Sequence, residues 1–279
     1  MRIPPKYTQA VAVAILGAAT TLTVVVLVFI IVFVLGKGLP GINLEFLCSA
    51  PKDMGRAGGI FPIIVGTILL PLLAIAIALP LGVGTAVYLT EYTRETRLTQ
   101  VLRFGTDCLA GIPSIIFGLF GFIFFVVTLK MGWCLLSGGL TLAIMVLPTI
   151  IRTSEEAIRA VPNPYREVSF SLGATRWETV LKVVLPNALP GIVTGVMLGI
   201  GRCIGETAAV IYTAGSALRM PRSAFDSVRT MSVHFYILAR EGISNEKAYA
   251  TAAVLIISVL LVNLAAYGMM HRFIAKRSK

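Results

Sequence analysis

Residues 163–186 read NPYREVSFSLGATRWETVLKVVLP, and nearly every position in them carries a local structural instruction. Asn163 followed by Pro164 pairs an N-cap residue with proline at the first helical position, and Tyr165, Val168 and Leu172 then share one helical face. Gly173 is placed to end that helix. Thr175 with Glu178 three residues on is a capping box for a second helix. Its Trp177, Val180, Leu181 and Val184 form an i, i+3, i+4, i+7 stripe before Pro186, which is predicted to stop it. The segment therefore reads as helix, glycine corner, helix. Phe170 falls opposite Tyr165, Val168 and Leu172, among Arg166, Glu167, Ser169 and Ser171, as an apolar knob on a polar face. It either enters a pocket elsewhere or touches lipid headgroups where the loop folds back under a bundle.

On both sides of this connector the chain is greasy. Of 279 residues, 57% are hydrophobic and 13% charged, with mean hydropathy +0.88, against roughly 25% charged in a soluble domain. That balance excludes a secreted disulfide scaffold, a disordered regulator and an ordinary cytosolic enzyme, and predicts an all-α polytopic membrane protein. Six spans are expected: residues 10–35, 65–90 kinked by Pro62, Pro71 and Pro80, Cys108–Leu129, Gly138–Ile151, Asn187–Ala214 and Ala248–Met270. The first run is too long for a signal-peptide core. The expected organisation is an N-terminal helix with an outer loop over 1–62 and a five-span core over 63–279, with the connector at 152–186.

The net charge of +11 fits topology better than nucleic-acid binding. With the N-terminus inside, residues 2–6, 94–103, 152–182 and 272–279 hold 14 Lys and Arg and the outer loops hold 9. The positive-inside rule thus places both termini in the cytoplasm.

Glu167-Val168-Ser169, Gly173 after three residues and Val183-Val184-Leu185-Pro186 after nine more resemble the EAA loop (E-A-A-x3-G-x9-I-x-L-P) of binding-protein-dependent ABC importer permeases. Val168 and Ser169 replace the two alanines and Val183 the isoleucine. The resemblance covers about residues 60–275. It implies a MetI-like bundle in the bacterial inner membrane whose cytoplasmic helices couple to an ATPase subunit through Glu167, Phe170, Ser171, Leu172, Gly173 and Ala174. The segments Ala110–Gly121, Leu147-Pro148 with Glu155-Glu156-Ala157, and Gly201–Ala209 are similar to permease subunits of bacterial phosphate importers. The partners so implied are a second homologous permease subunit, two ATPase subunits, a periplasmic phosphate-binding protein and inorganic phosphate. No G-x4-G-K-[ST] loop occurs in the chain, so no cofactor is expected here and ATP with Mg belongs on the ATPase.

Ionisable residues within a span are costly, and Arg202 and Glu206 lie four apart in the fifth. On a continuous helix Gly195, Gly199, Arg202, Glu206, Ala209 and Thr213 share one side, and Thr207 adjoins it. Two readings stay open. The pair neutralises itself and fastens the helix, or the stripe lines a substrate path. In the second reading Arg202 presents its planar fork to a phosphate oxyanion and Glu206 accepts the O–H that phosphate retains and sulfate lacks. Gly195/Gly199 and Gly201/Gly205 also have the spacing that lets helices approach closely.

In the outer loop Phe225, Val228, Met231, Ser232 and Phe235 keep a helical period with Arg222, Asp226 and Arg229 turned away; this element caps the bundle or meets the binding protein. All four cysteines, Cys48, Cys108, Cys134 and Cys203, read as small apolar packing residues; Cys48 and Cys134 both fall outside, where a disulfide between them stays open as an alternative for which the sequence gives no distance. His234 and His271 lack companion ligands, so no metal site is expected, and Asn263 reads as an interhelical hydrogen bonder. No paired aspartates, H-E-x-x-H or nucleophile with a histidine base lies in the spans, so no catalytic residue is assigned. The competing functions are a permease for another oxyanion or small solute, and a self-sufficient secondary carrier, whose inverted repeats are not visible.

Overall fold

The computed structural model describes the backbone of residues 5–94 and 96–277. Helix α1 (Pro5–Gly38) exceeds the first predicted span slightly at each end, since no proline interrupts it. It packs along α12 (Asn245–Arg277), with Phe33 edge-on to Tyr249 at 6.1 Å, and exposes most of its described apolar side chains, from Val11 to Phe33, as a lipid-bathed helix does. Residues 39–60 contain α2 (Leu44–Cys48), capped by Asn43, and a hairpin of β1 (Pro51–Lys52) with β2 (Ala57–Gly58). They bury Phe46 and Ile60 against Ile63, Met231, Ala250 and Val254 at one end of the bundle.

Helix α3 (Phe61–Val87) runs on through a π-helical turn, Tyr88–Tyr92, as one apolar rod. Pro62 does not kink it, because in the first turn the missing N–H had no partner to lose. The third span differs from expectation. It starts at Ser114 rather than Cys108: α4 (Arg97–Ala110) breaks at Gly111–Pro113 and meets α5 (Ser114–Gly121, extended by the π-helical stretch Phe122–Thr128) at 98°. Pro113 disfavours helical backbone at Ile112 and itself stands at ψ 141°, so the chain breaks here, a signal hidden inside an apolar run. Helix α4 turns its polar side onto α6 (Leu135–Arg159), where Arg103 Nε lies 2.7 Å from Glu155 Oε1 and Arg152 meets Asp107. Helix α6 outruns its predicted 138–151 core at both ends.

The bundle core lies between α3, α6, α9 (Leu185–Gly205) and α10 (Ala208–Thr213), around Leu70, Leu142, Met145, Val146 and Ile150. Among the described residues five helices are long and apolar enough to cross a bilayer, and six if the bent α4/α5 pair counts as one span.

The segment 215–230 is irregular, and helix begins only at α11 (Met231–Arg240), where Thr230 Oγ1 caps Val233 N–H. Asp226 explains the early non-helical course. It accepts from the Arg222 and Ser223 N–H groups at 2.8 and 2.9 Å, and these bonds hold its carboxyl below the usual range. Arg229, expected to face solvent, is buried: Nε donates to Ser216 O at 2.8 Å and Nη1 to His234 Nδ1 at 3.3 Å. His234 is likewise buried within α11. All four cysteines are free, Cys48 exposed and Cys134 buried. The side chain of His271 lies outside the described residues.

Burial, and secondarily the Arg229 charge, push the His234 pKa down to about 3. An unfolded histidine takes its proton near 6.5, so the folded state loses ground as pH falls from about 6.5 toward 3, by about 2 kcal/mol at pH 5. Thermal unfolding of the purified complex is expected to show this acid limb, and His234→Gln is expected to flatten it. An unchanged limb in the variant would assign the loss to other groups.

Candidate functional site

In the connector, α7 (Asn163–Ser171) is closed by a Schellman motif: Gly173 at φ +83° donates to Phe170 O, and Ala174 N–H to Ser169 O. Pro162, not Asn163, is the N-cap. The Thr175–Glu178 capping box opens α8 (Arg176–Thr179). Ser169, which hydrogen-bonds Thr179 at 2.9 Å, is the buried residue of α7. Both expected faces of α7 are open: Phe170 is 45% and Leu172 83% exposed, and Tyr165, Val168 and Glu167 are exposed as well. Ser171 returns its hydroxyl to Glu167 O.

A clamp that sequence reasoning missed holds this segment. The Arg166 guanidinium meets Glu91 Oε1 at 2.7 Å and donates to the carbonyls of Val161 and Ile158 at 2.6 and 2.9 Å. One side chain thereby joins the ends of α3 and α6 to α7. A cluster including Ala86, Ile158, Val161, Val180, Val184 and Ile192 packs beneath it.

Pro186 does not stop the second helix. Residues Val180–Val184 form a π-helical turn that leads into α9, so the chain is one helical span over Arg176–Gly205. The wider turn re-registers the hydrogen bonds where proline lacks an N–H. Thirty residues make a rod of about 45 Å from the capping box to Gly205.

The rod ends where the sequence predicted continuity. Glu206 has extended backbone (φ −73°, ψ 131°), and α10 restarts at Ala208. Glu206 Oε1 accepts from the N–H groups of Thr207 and Ala209, both at 3.2 Å, while Ser232 Oγ donates to Glu206 O at 2.7 Å and ties the break to α11. Arg202 and Glu206 therefore do not share a helical face, and no ion pair joins them among the described residues. Arg202, Glu206 and Thr207 are half-buried at the break. Gly199 faces Ile75, Val146 and Ile150, in the middle of α3 and α6, so Arg202 lies about one turn beyond mid-span.

Residues 78–279 match the family described as the binding-protein-dependent transport system inner membrane component. The chain belongs to that family. It is 32% identical over 277 residues to the probable ABC transporter permease protein YqgI of Bacillus subtilis (strain 168), covering 94% of each chain. It is 37% identical over 226 residues to the phosphate transport system permease protein PstA 1 of Mycobacterium tuberculosis (strain ATCC 25618 / H37Rv), covering 80% of this chain and 72% of that one. Among solved structures, an inward-facing MetNI methionine ABC transporter matches with TM-score 0.61 and 23% identity over 77% of this chain and 94% of that one. A bacterial alginate ABC transporter matches with TM-score 0.69 and 14% identity over 95% and 97%. At such identities these two establish the fold alone.

Within this ABC importer permease subunit, the predicted small-residue stripe divides. Gly195 abuts Thr153, and Gly199 abuts Ile75, so that side is a packing seam. Thr213 is fully buried, its hydroxyl bonded back to Ala209 O at 2.6 Å. The open face of α9 runs instead through Asn187, Thr194, Leu198 and Gly205, and nothing lies within 4 Å of where Cβ atoms at Gly201 and Gly205 would stand. Arg202 flanks that face. The exposure is legible only once α6 is known to cover Gly195.

Proposed function

We propose that this permease subunit moves inorganic phosphate from the periplasm to the cytoplasm by alternating access, with both termini cytoplasmic. Its proposed partners are a second homologous permease subunit, two ATPase subunits that carry ATP and Mg, and a phosphate-binding protein on the outer side. The observation that carries this reading is the unbroken rod Arg176–Gly205, which joins the corner at Gly173 to the break beside Arg202. A tilt imposed on Phe170, Ser171, Leu172 and Ala174 by an ATPase is delivered along a stiff lever to the polar break near mid-span. There the Arg202 guanidinium has no hydrogen-bonded partner among the described residues, and neither do Glu206 Oε2 and the Thr207 hydroxyl. A planar donor fork, an anionic acceptor and a hydroxyl together suit an oxyanion that still bears a proton. Two relatives whose names specify phosphate, at 34% and 37% identity, support the choice of solute.

Glu206→Gln separates charge from cap, because glutamine keeps an oxygen for the Thr207 and Ala209 N–H groups. In proteoliposomes holding the assembled importer with binding protein and ATP, the variant is expected to lose about tenfold of its phosphate uptake, in line with a charge-assisted hydrogen bond of about 1.5 kcal/mol. Wild-type uptake in the variant, or equal sulfate and phosphate uptake in the wild type, would refute the role.

A further inference from the structure

Two adjoining cavities, of about 350 and 510 Å³, form one groove between α3 and α9, with Val83 and Leu185 lining both. The longer part, along Leu79, Leu189, Val193 and Val196, has no polar side chain in its walls. The end nearer the coupling segment is rimmed by Tyr88, Tyr92 and Trp177, all exposed. From Leu185 to Met197 the groove runs about 18 Å, a little more than one leaflet of a hydrocarbon core about 30 Å thick.

We propose that this groove holds an acyl chain of an anionic phospholipid from the leaflet on the coupling side. Three observations select that occupant. Aromatic rings that are apolar in body and polar at the tip belong at the headgroup boundary, and here three mark the mouth of a wholly apolar slot. Arg94 lies two residues beyond Tyr92 and Arg176 precedes Trp177; both side chains are exposed, with no partner among the described residues, and supply positive charge for an anionic headgroup. The groove also points away from the proposed path. Val196 and Leu198 are two residues, hence about 200°, apart on the helix, so the groove side of α9 is turned almost opposite to the open face beside Arg202. A second permease subunit meeting this one across the path leaves the groove to lipid. The lipid would pack where the π-helical turn Val180–Val184 joins the coupling corner to the rod, wedging α3 against the lever. The site is independent of which solute is carried.

The test uses the assembled importer, purified in detergent, stripped of lipid and titrated with phosphatidylglycerol or phosphatidylcholine, with bound lipid counted by mass spectrometry of the intact complex. Phosphatidylglycerol is expected to be retained at one per chain and preferentially. Leu189→Trp fills the slot, and excluding even two methylenes is expected to lower retention about tenfold. Arg94→Gln and Arg176→Gln, surface changes that leave the slot intact, are each expected to reduce the preference for phosphatidylglycerol about fivefold. Lipid retention unchanged in an assembled Leu189→Trp complex, or a headgroup preference unchanged in the double arginine variant, would overturn the proposal. So would a Leu189→Cys variant that cross-links to the second permease subunit in native membranes, since protein would then occupy the groove.

Discussion

Uptake by an assembled importer carrying Arg202→Ala is expected to fall about a hundredfold while the complex remains intact. The magnitude follows from losing a charge-assisted, two-pronged contact to an anion in a desolvated place, worth about 3 kcal/mol, with each 1.4 kcal/mol a factor of ten. The fold is expected to survive because no carboxylate depends on Arg202. Glu206 Oε1 is already engaged by the Thr207 and Ala209 N–H groups, and Arg202 forms no ion pair among the described residues. Removing an unpaired, half-buried cation from a span relieves a cost rather than creating one. Arg202→Lys keeps the charge but replaces a flat fork by a point donor, and an intermediate loss of about tenfold is expected. Measuring uptake together with thermal unfolding of the same preparation separates the two effects. Uptake at wild-type level in assembled Arg202→Ala would remove this residue from the path.

What the sequence could disclose depended on how locally each feature is determined. The Schellman turn at Gly173 and the Thr175–Glu178 box are settled by residues within five positions of one another, and both stand where their spacing placed them. The six-span plan was legible for the same kind of reason, since each apolar run must bury its own backbone polar groups. Pro186 does not stop the helix as its sequence context predicts, because whether proline ends a helix depends on the preceding turn, and the π-helical Val180–Val184 is packed by Ala86 and Ile158, nearly a hundred and about twenty residues away. The break at Pro113 is hidden for the opposite reason, since apolar neighbours on both sides continue the run across it. In the outer loop a helical period suggested that Arg229 was solvated. Its burial rests on Ser216 O and His234, partners supplied by the tertiary fold. The predicted Arg202–Glu206 face required α9 to continue. It ends at Gly205, and the open face then falls on Thr194 and Leu198 rather than on Gly195 and Gly199.

Arg166→Ala is expected to uncouple the importer. The guanidinium and the Glu91 carboxylate are 14% and 13% exposed, so this is an ion pair largely withdrawn from water. Deleting one partner leaves Glu91 unpaired and also frees the carbonyls of Ile158 and Val161 at the end of α6, where positive charge is favoured by the helix dipole. Breaking such a pair costs about 3 kcal/mol or more. Because the lost bonds tie α7 to α3 and α6, the corner at Gly173 would then move without carrying the rod. ATP hydrolysis by the assembled complex is expected to persist while phosphate uptake per ATP drops at least tenfold, and amide exchange over 163–175 is expected to accelerate. Arg166→Lys is not expected to rescue, since one ammonium cannot reach Glu91 and both carbonyls in a planar fan. Glu91→Gln combined with Arg166→Met, which removes both charges together, is expected to restore much of the stability but not the coupling, because the bonds to α6 stay broken. Normal coupling in Arg166→Ala would mean that the apolar cluster under α7 holds the segment without the clamp.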